Sequence, residues 1–200
     1  MSELPWEGLT CTPEHFLSSR DPILEAVITA QVDRWPSEPT ENPIWGLIRI
    51  VMAQQVSTHL ACQLAERAIA AHPHLIAPSS ALAPNPSVLR AIGLSESRAQ
   101  CCASIVLRSD EILDKVQQGQ TWSEALAGLK GIGPWTIAVF RIMVLREPDV
   151  LPLGDVGLER AIMNVYGEGQ NVEELAKPWR PYRSVACWYL WRTLGNKQLG

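Results

Sequence analysis

Between Leu129 and Leu158 the chain reads LKGIGPWTIAVFRIMVLREPDVLPLGDVGL, a run that leaves the backbone few choices. Gly131 and Gly133 permit a sharp turn, and Pro134 opens a helix at the one position where its missing N–H has no partner to lose. The helix reads on to about Leu145. Pro148 and Pro152 then force an extended loop, and Asp155 stands at the mouth of another helix, Val156 to Tyr166. The result is two helices joined by a glycine hairpin, with one carboxylate delivered a loop later. Such a turn leaves N–H groups of Gly131, Gly133 and the following residues facing outward at a helix N-terminus, where the dipole favours an anion.

Elsewhere helical spacing dominates and no alternating run is flanked by hairpin turns, so the fold class is all-α. Asp21-Pro22 starts a helix carrying Ile23, Leu24, Val27 and Ile28, closed by a loop from Trp35 to Pro43. Ile44 to Ala53 is apolar on one face, the pattern breaks near AQQVS, and it resumes from Ser57 as N-cap through to Ala71. Prolines at 73, 78, 84 and 86 punctuate the next section. Ser87 to Ile92 forms a short helix, Ser97 to Gln118 a longer one, and Thr121-Trp-Ser-Glu124 is a capping box that starts a helix to Leu129. The last helix runs from Pro181 or Tyr182 to Leu194.

With 200 residues and 46% apolar content the chain buries a core without metals or disulfides. Its five cysteines are odd in number and form no CxxC pair, which points to reduced thiols and a cytoplasmic setting. The N-terminus lacks a signal-peptide pattern, and Arg141 interrupts the longest apolar stretch, so neither export nor membrane spanning is expected. A net charge of -4 argues against nucleic-acid binding through a general basic field. Lys177, Arg180, Arg183, Arg192 and Lys197, with no acid among residues 177–200, still make one basic segment.

Taken singly, Asp155 reads first as a helix cap, and Gln54-Gln55 as a polar helix junction. The pieces together resemble a family. Asp21-Pro22, IVMAQQVS (Ile50 to Ser57), LRAIGLSESRA (Leu89 to Ala99), LKGIGPWTIA (Leu129 to Ala138), LPLGDVGLERA (Leu151 to Ala161) and WRPYRSVACWYLWR (Trp179 to Arg192) are similar, in order, to the helix-hairpin-helix DNA glycosylases. Among these the chain looks most like the alkylated-base enzymes of the 3-methyladenine DNA glycosylase II type. The resemblance implies a single two-lobed catalytic domain over residues 1–200, a minimal form without the additional N-terminal α/β domain of larger members. Residues 1–55 and 165–200 are expected in one lobe and 56–164 in the other, with the hairpin at 121–145.

The resemblance further implies that Asp155 is the catalytic carboxylate, stabilising positive charge that develops on deoxyribose as the base departs. A base such as 3-methyladenine or 7-methylguanine is already cationic and leaves without strong acid assistance. Relatives that also cut the backbone carry a lysine two residues after the second hairpin glycine. Here that position is Trp135, so a monofunctional enzyme without lyase activity is expected. Gln55 takes the position that plugs the gap left by the extruded nucleotide. Trp135 and Trp191, with Tyr189 behind them, are the aromatic candidates for the wall of a pocket suited to a cationic base. Val139 stands where some relatives place a tyrosine, and Arg141 reads either as a buried partner or as a phosphate contact. Gln55, Ser57, Gly131, Gly133, Pro134 and Trp135 form the expected DNA contacts.

Main-chain oxygens of Ala127, Leu129 and Ile132 are implied to hold a monovalent cation; no iron–sulfur cluster is expected, since only Cys187 follows the catalytic acid. Double-stranded DNA with a damaged base is the expected partner, a monomer the expected state, and a bacterial cytosol or nucleoid the expected location. Two other readings stay open: a glycosylase for another damaged or mismatched base, and a non-catalytic helix-hairpin-helix module in which Asp155 is only a cap.

Overall fold

Helix formation in this chain is set largely by its caps. The computed structural model describes residues 12–39 and 42–195, and among them there is no strand. In chain order the helices are α1 (Pro13–Ser18), α2 (Pro22–Thr29), α3 (Pro43–Ala53), α4 (Thr58–Ala71), α5 (Pro86–Ala91), α6 (Glu96–Leu107), α7 (Ser109–Gln117), α8 (Trp122–Ala125), α9 (Pro134–Met143), α10 (Val156–Tyr166), α11 (Val172–Leu175) and α12 (Arg183–Arg192). Asn42, Ser57, Asn85, Ser95, Thr121, Asp155 and Asn171 each receive a backbone N–H on the side chain. None of these helices is long and apolar enough to cross a membrane.

Several boundaries differ from the sequence expectation, the last helix among them, which spans Arg183–Arg192 rather than reaching Leu194. The helix expected over 97–118 is two, α6 and α7, broken at Arg108 (φ -103°, ψ 10°). The apolar face does not continue in phase there: Leu107 is 61% exposed, whereas Ser109 is fully buried. α8 ends at Ala125 rather than Leu129, because the hairpin's turns begin at once, with Leu129 N–H donating to Leu126 O at 3.3 Å. α9 ends at Met143, two residues short of Leu145.

The chain divides into two units, residues 12–37 with 147–195, and residues 38–146. This differs from the division at 55 and 165 drawn from the sequence. α3 belongs with the hairpin unit, since Ile44 to Met52 are buried there, Arg49 excepted, in one cluster with Leu64, Leu89, Cys102, Ile105, Leu126 and Phe140. Segment 147–164 belongs with the terminal unit, because α10 packs on α12. In the hairpin unit α3 packs on α4, α6 and α9. A Cβ at Gly46 would fall 2.6 Å from Val144 Cγ1, so only glycine lets α3 approach the end of α9.

The terminal unit is organised around α12. Ser184 through Trp191 are all buried, so the helix has no solvated face and is enclosed by its neighbours. Asp21 ties the other elements in: Oδ1 accepts the N–H groups of Ile23 and Leu24, and Oδ2 accepts Tyr166 Oη and Trp179 Nε1, each at 2.8 Å. Burial, and then Asp21, raise the Tyr166 phenol above its ordinary pKa. The basic segment foreseen at the C-terminus is largely paired. Lys177 meets Glu174 at 2.6 Å, Arg183 clasps Asp149 with Nε and Nη2, and Arg192 binds Asp33 while lying over Trp188. Lys197 lies outside the described residues.

Replacing Asp21 with Ala removes a cap and strands two buried donors, so Asp21→Ala should lose about 2–4 kcal/mol of stability in urea denaturation.

Candidate nucleic-acid and catalytic site

Within the terminal unit, the extended loop from Arg146 ends in Gly154, at φ 75°, and Asp155 caps α10. Its Oδ1 accepts Leu158 N–H across a short bond and Trp191 Nε1 at 2.9 Å. The residue is 7% exposed, so its carboxyl group is held in a poorly hydrated place by fixed donors. A Cβ at Gly157 would lie 3.1 Å from that Oδ1 and 3.7 Å from the Trp191 ring, which makes the glycine part of the arrangement. On α12 the fully buried Cys187 thiol is pushed up by burial and then by the charge of Asp155.

Trp191 is thus brought to Asp155, as a donor and at 5% exposure. Tyr189 is not placed as a pocket wall. It is fully buried, edge-on to Trp188 at 4.9 Å, with its hydroxyl 3.0 Å from Glu14 Oε1. α12 turns each successive ring to a different side, which the sequence spacing alone did not separate.

In the hairpin unit, the capping box of Thr121 and Glu124 starts α8, and Trp122 stacks edge-on against Phe140 at 5.1 Å. Gly131 (φ 92°) closes the hairpin; a Cβ there would sit 2.9 Å from Cys101 Sγ, so conformation and packing both require glycine. Gly133 differs. Its φ is -102°, as N-cap of α9 it offers no capping side chain, and a Cβ would meet nothing within 4 Å. Neither strain nor packing calls for glycine at 133, whereas open access to the helix N-terminus does. Pro134 and Lys130 are exposed, while Trp135, Val139 and Arg141 are half-buried, Val139 packing against the unit's core. Of the carbonyls expected to face a cation, that of Leu129 accepts Ile132 N–H at 3.1 Å and keeps a second lone pair.

Gln54 and Gln55 make a tight turn from α3 to α4. Gln54 has φ -57° and ψ 127°, Gln55 has φ 57°, and Val56 N–H meets Ala53 O at 3.4 Å. This is a type II turn with glutamine where glycine or asparagine is usual. Holding an ordinary residue in the left-handed region costs roughly 1–2 kcal/mol, and Gln55 is exposed at the turn's tip. Ser57, also exposed, caps α4 through Leu60 N–H at 3.3 Å.

Gln54, read from the sequence as part of a polar junction, holds this turn together with two residues given no role there, Thr136 and Arg98. Gln54 Nε2 donates to Thr136 Oγ1 at 3.0 Å and to Gly131 O at 3.4 Å, joining turn to hairpin. Arg98 Nη1 donates to Met52 O at 3.1 Å and Gln54 O at 3.3 Å. The available signals were Thr136, a hydroxyl inside the apolar run PWTIAVF, and Arg98, a cation in the first turn of a helix.

No protein-family model matches the chain. It is 24% identical over 169 residues to the alkylbase DNA glycosidase-like protein mag2 of Schizosaccharomyces pombe, covering 77% of this chain and 79% of that protein. It is 29% identical over 189 residues to a "probable bifunctional transcriptional activator/DNA repair enzyme AlkA" of Mycobacterium tuberculosis; the match takes 87% of this chain and only 38% of that longer protein. Among solved structures, S. pombe 3-methyladenine DNA glycosylase (Mag1) in complex with abasic DNA superposes with a TM-score of 0.76 over 93% of this chain and 98% of that one. At 22% identity the last likeness is one of fold.

The two hairpin glycines should separate on substitution. Gly131→Ala should cost about 1–3 kcal/mol in thermal or urea unfolding, whereas Gly133→Ala should stay within about 0.5 kcal/mol of the parent and weaken DNA binding in a filter or anisotropy assay.

Proposed function

We infer that this chain, an alkylbase DNA glycosylase-like protein of the helix-hairpin-helix type, hydrolyses the N-glycosidic bond of alkylated bases in DNA and leaves an abasic site. The observation that carries the reading is Asp155: a nearly buried carboxylate whose Oδ1 is held in place by the Leu158 N–H and the Trp191 indole. As the bond breaks, its electron pair leaves with the base and C1′ becomes cationic; a fixed anion there stabilises the sugar without needing to reorient. Water then adds to C1′ and gives up a proton. An alkylated purine leaves as a neutral base, so one acid suffices.

Duplex DNA is engaged, in this reading, through the open N-terminus at Gly133, Pro134 and Trp135, and Gln55 fills the space of the extruded nucleotide. A monovalent cation at the carbonyls of Ala127, Leu129 and Ile132 would add positive charge to the same phosphate site. Trp135, in place of an amine nucleophile, gives no Schiff base, so the sugar-phosphate backbone stays intact.

Asp155→Asn decides between an enzyme and a DNA-binding module, because asparagine caps a helix as well as aspartate does. The variant should melt like the parent and release 3-methyladenine or 7-methylguanine from methylated DNA at least about 100-fold more slowly. Equal rates would leave Asp155 as a cap only. With the parent, strand breaks should follow only after alkali treatment of the product.

A further inference from the structure

We propose that Arg98 is a positioning residue for base extrusion, holding Gln55 in its outward, left-handed conformation by gripping the carbonyl of Gln54. The inference rests on the glycosylase reading for the role of Gln55, but its geometry stands independently.

Type I and type II turns differ mainly by a flip of the central peptide, here the one joining Gln54 to Gln55. With glutamine at the third position, the flip to type I would release Gln55 from φ 57° into an ordinary region. Something must oppose it. The oxygen of that peptide is Gln54 O, and Arg98 Nη1 donates to it at 3.3 Å while also donating to Met52 O at 3.1 Å in the last turn of α3. Flipping the peptide would carry Gln54 O away and break a charge-assisted bond.

The guanidinium is itself oriented. Arg98 Nε donates to Ser95 Oγ at 3.2 Å, and the same hydroxyl accepts Arg98 N–H as the cap of α6. A cation in the first helical turn opposes the helix dipole, so Arg98 stands there against local preference, as residues placed for function do. From the other side Gln54 Nε2 anchors to Thr136 Oγ1 and Gly131 O, the residues at the start of α9 and in the hairpin. One side chain of the turn is thereby fastened inward and its neighbour, Gln55, is presented outward. The device also fixes the plug to the element that would hold phosphate, so that grip and insertion act as one rigid part.

The test is a double-mutant cycle of Arg98→Met with Gln55→Gly. Two readouts are used: the fluorescence rise of 2-aminopurine in a duplex opposite an abasic analogue on binding, and single-turnover release of 3-methyladenine. Arg98→Met keeps the apolar stem and loses the donors. It should bind the duplex within about threefold of the parent, lose most of the fluorescence rise, and slow excision about tenfold. Gln55→Gly should do the same, and the double variant should match either single one, since Arg98 acts through Gln55. Arg98→Lys, with a charge but no fork, should fall between, and it replaces Arg98→Met in the cycle if the latter does not fold. An unchanged fluorescence rise in the Arg98 variants, or losses that multiply in the double variant, would overturn the proposal. A parent that extrudes 2-aminopurine in an Arg98-dependent way but releases no alkylated base would instead overturn the assigned reaction and leave the positioning role supported.

Discussion

A carboxylate can be taken almost wholly out of water only where donors replace the water, and Asp155 meets that condition with the Leu158 N–H and the Trp191 indole on its Oδ1. The arrangement around it follows from this constraint. α10 must begin at residue 155 so that Leu158 N–H faces the acid, and α12 must be buried so that Trp191 is held still. A side chain at residue 157 would crowd the carboxylate, its Cβ 3.1 Å from Oδ1, where glycine leaves room. Helix cap and buried carboxylate are therefore one group, and the hydrogen bond that starts α10 also fixes where that carboxylate points.

Much of this could be read from the chain because its signals are local. The capping box at Thr121, the Pro134 start, and the bounds of α10 follow from residues that act on their own backbone, and they fell where the spacing put them. What could not be read is decided by distant contacts. Whether a tryptophan or tyrosine on α12 faces Asp155 or Glu14 depends on packing all around that helix, and composition contains no record of it. The break at Arg108 and the union of α3 with the hairpin unit likewise depend on which face finds a partner. Gln54 and Arg98 were hidden for the same reason: their bonds reach across 82 and 46 residues.

Charge gives a second lesson in the difference between sequence and structure. The basic segment 177–200 looks like a polyanion contact when charges are counted, yet Lys177, Arg183 and Arg192 are each matched to a carboxylate. The features suited to a phosphate are main-chain groups at Gly133 and beyond, which an acidic chain can offer without changing its net charge.

Packing also decides which sulfurs an electrophile can reach. Thiolate, not thiol, is what an alkylating agent attacks, and burial pushes Cys101, packed against Gly131, up to about 11, with Cys102 and Cys187 higher still. Among the described residues Cys62, on α4, is the exposed thiol. The dense packing that lets the hairpin turn so sharply thus also shuts the buried sulfurs away from electrophiles.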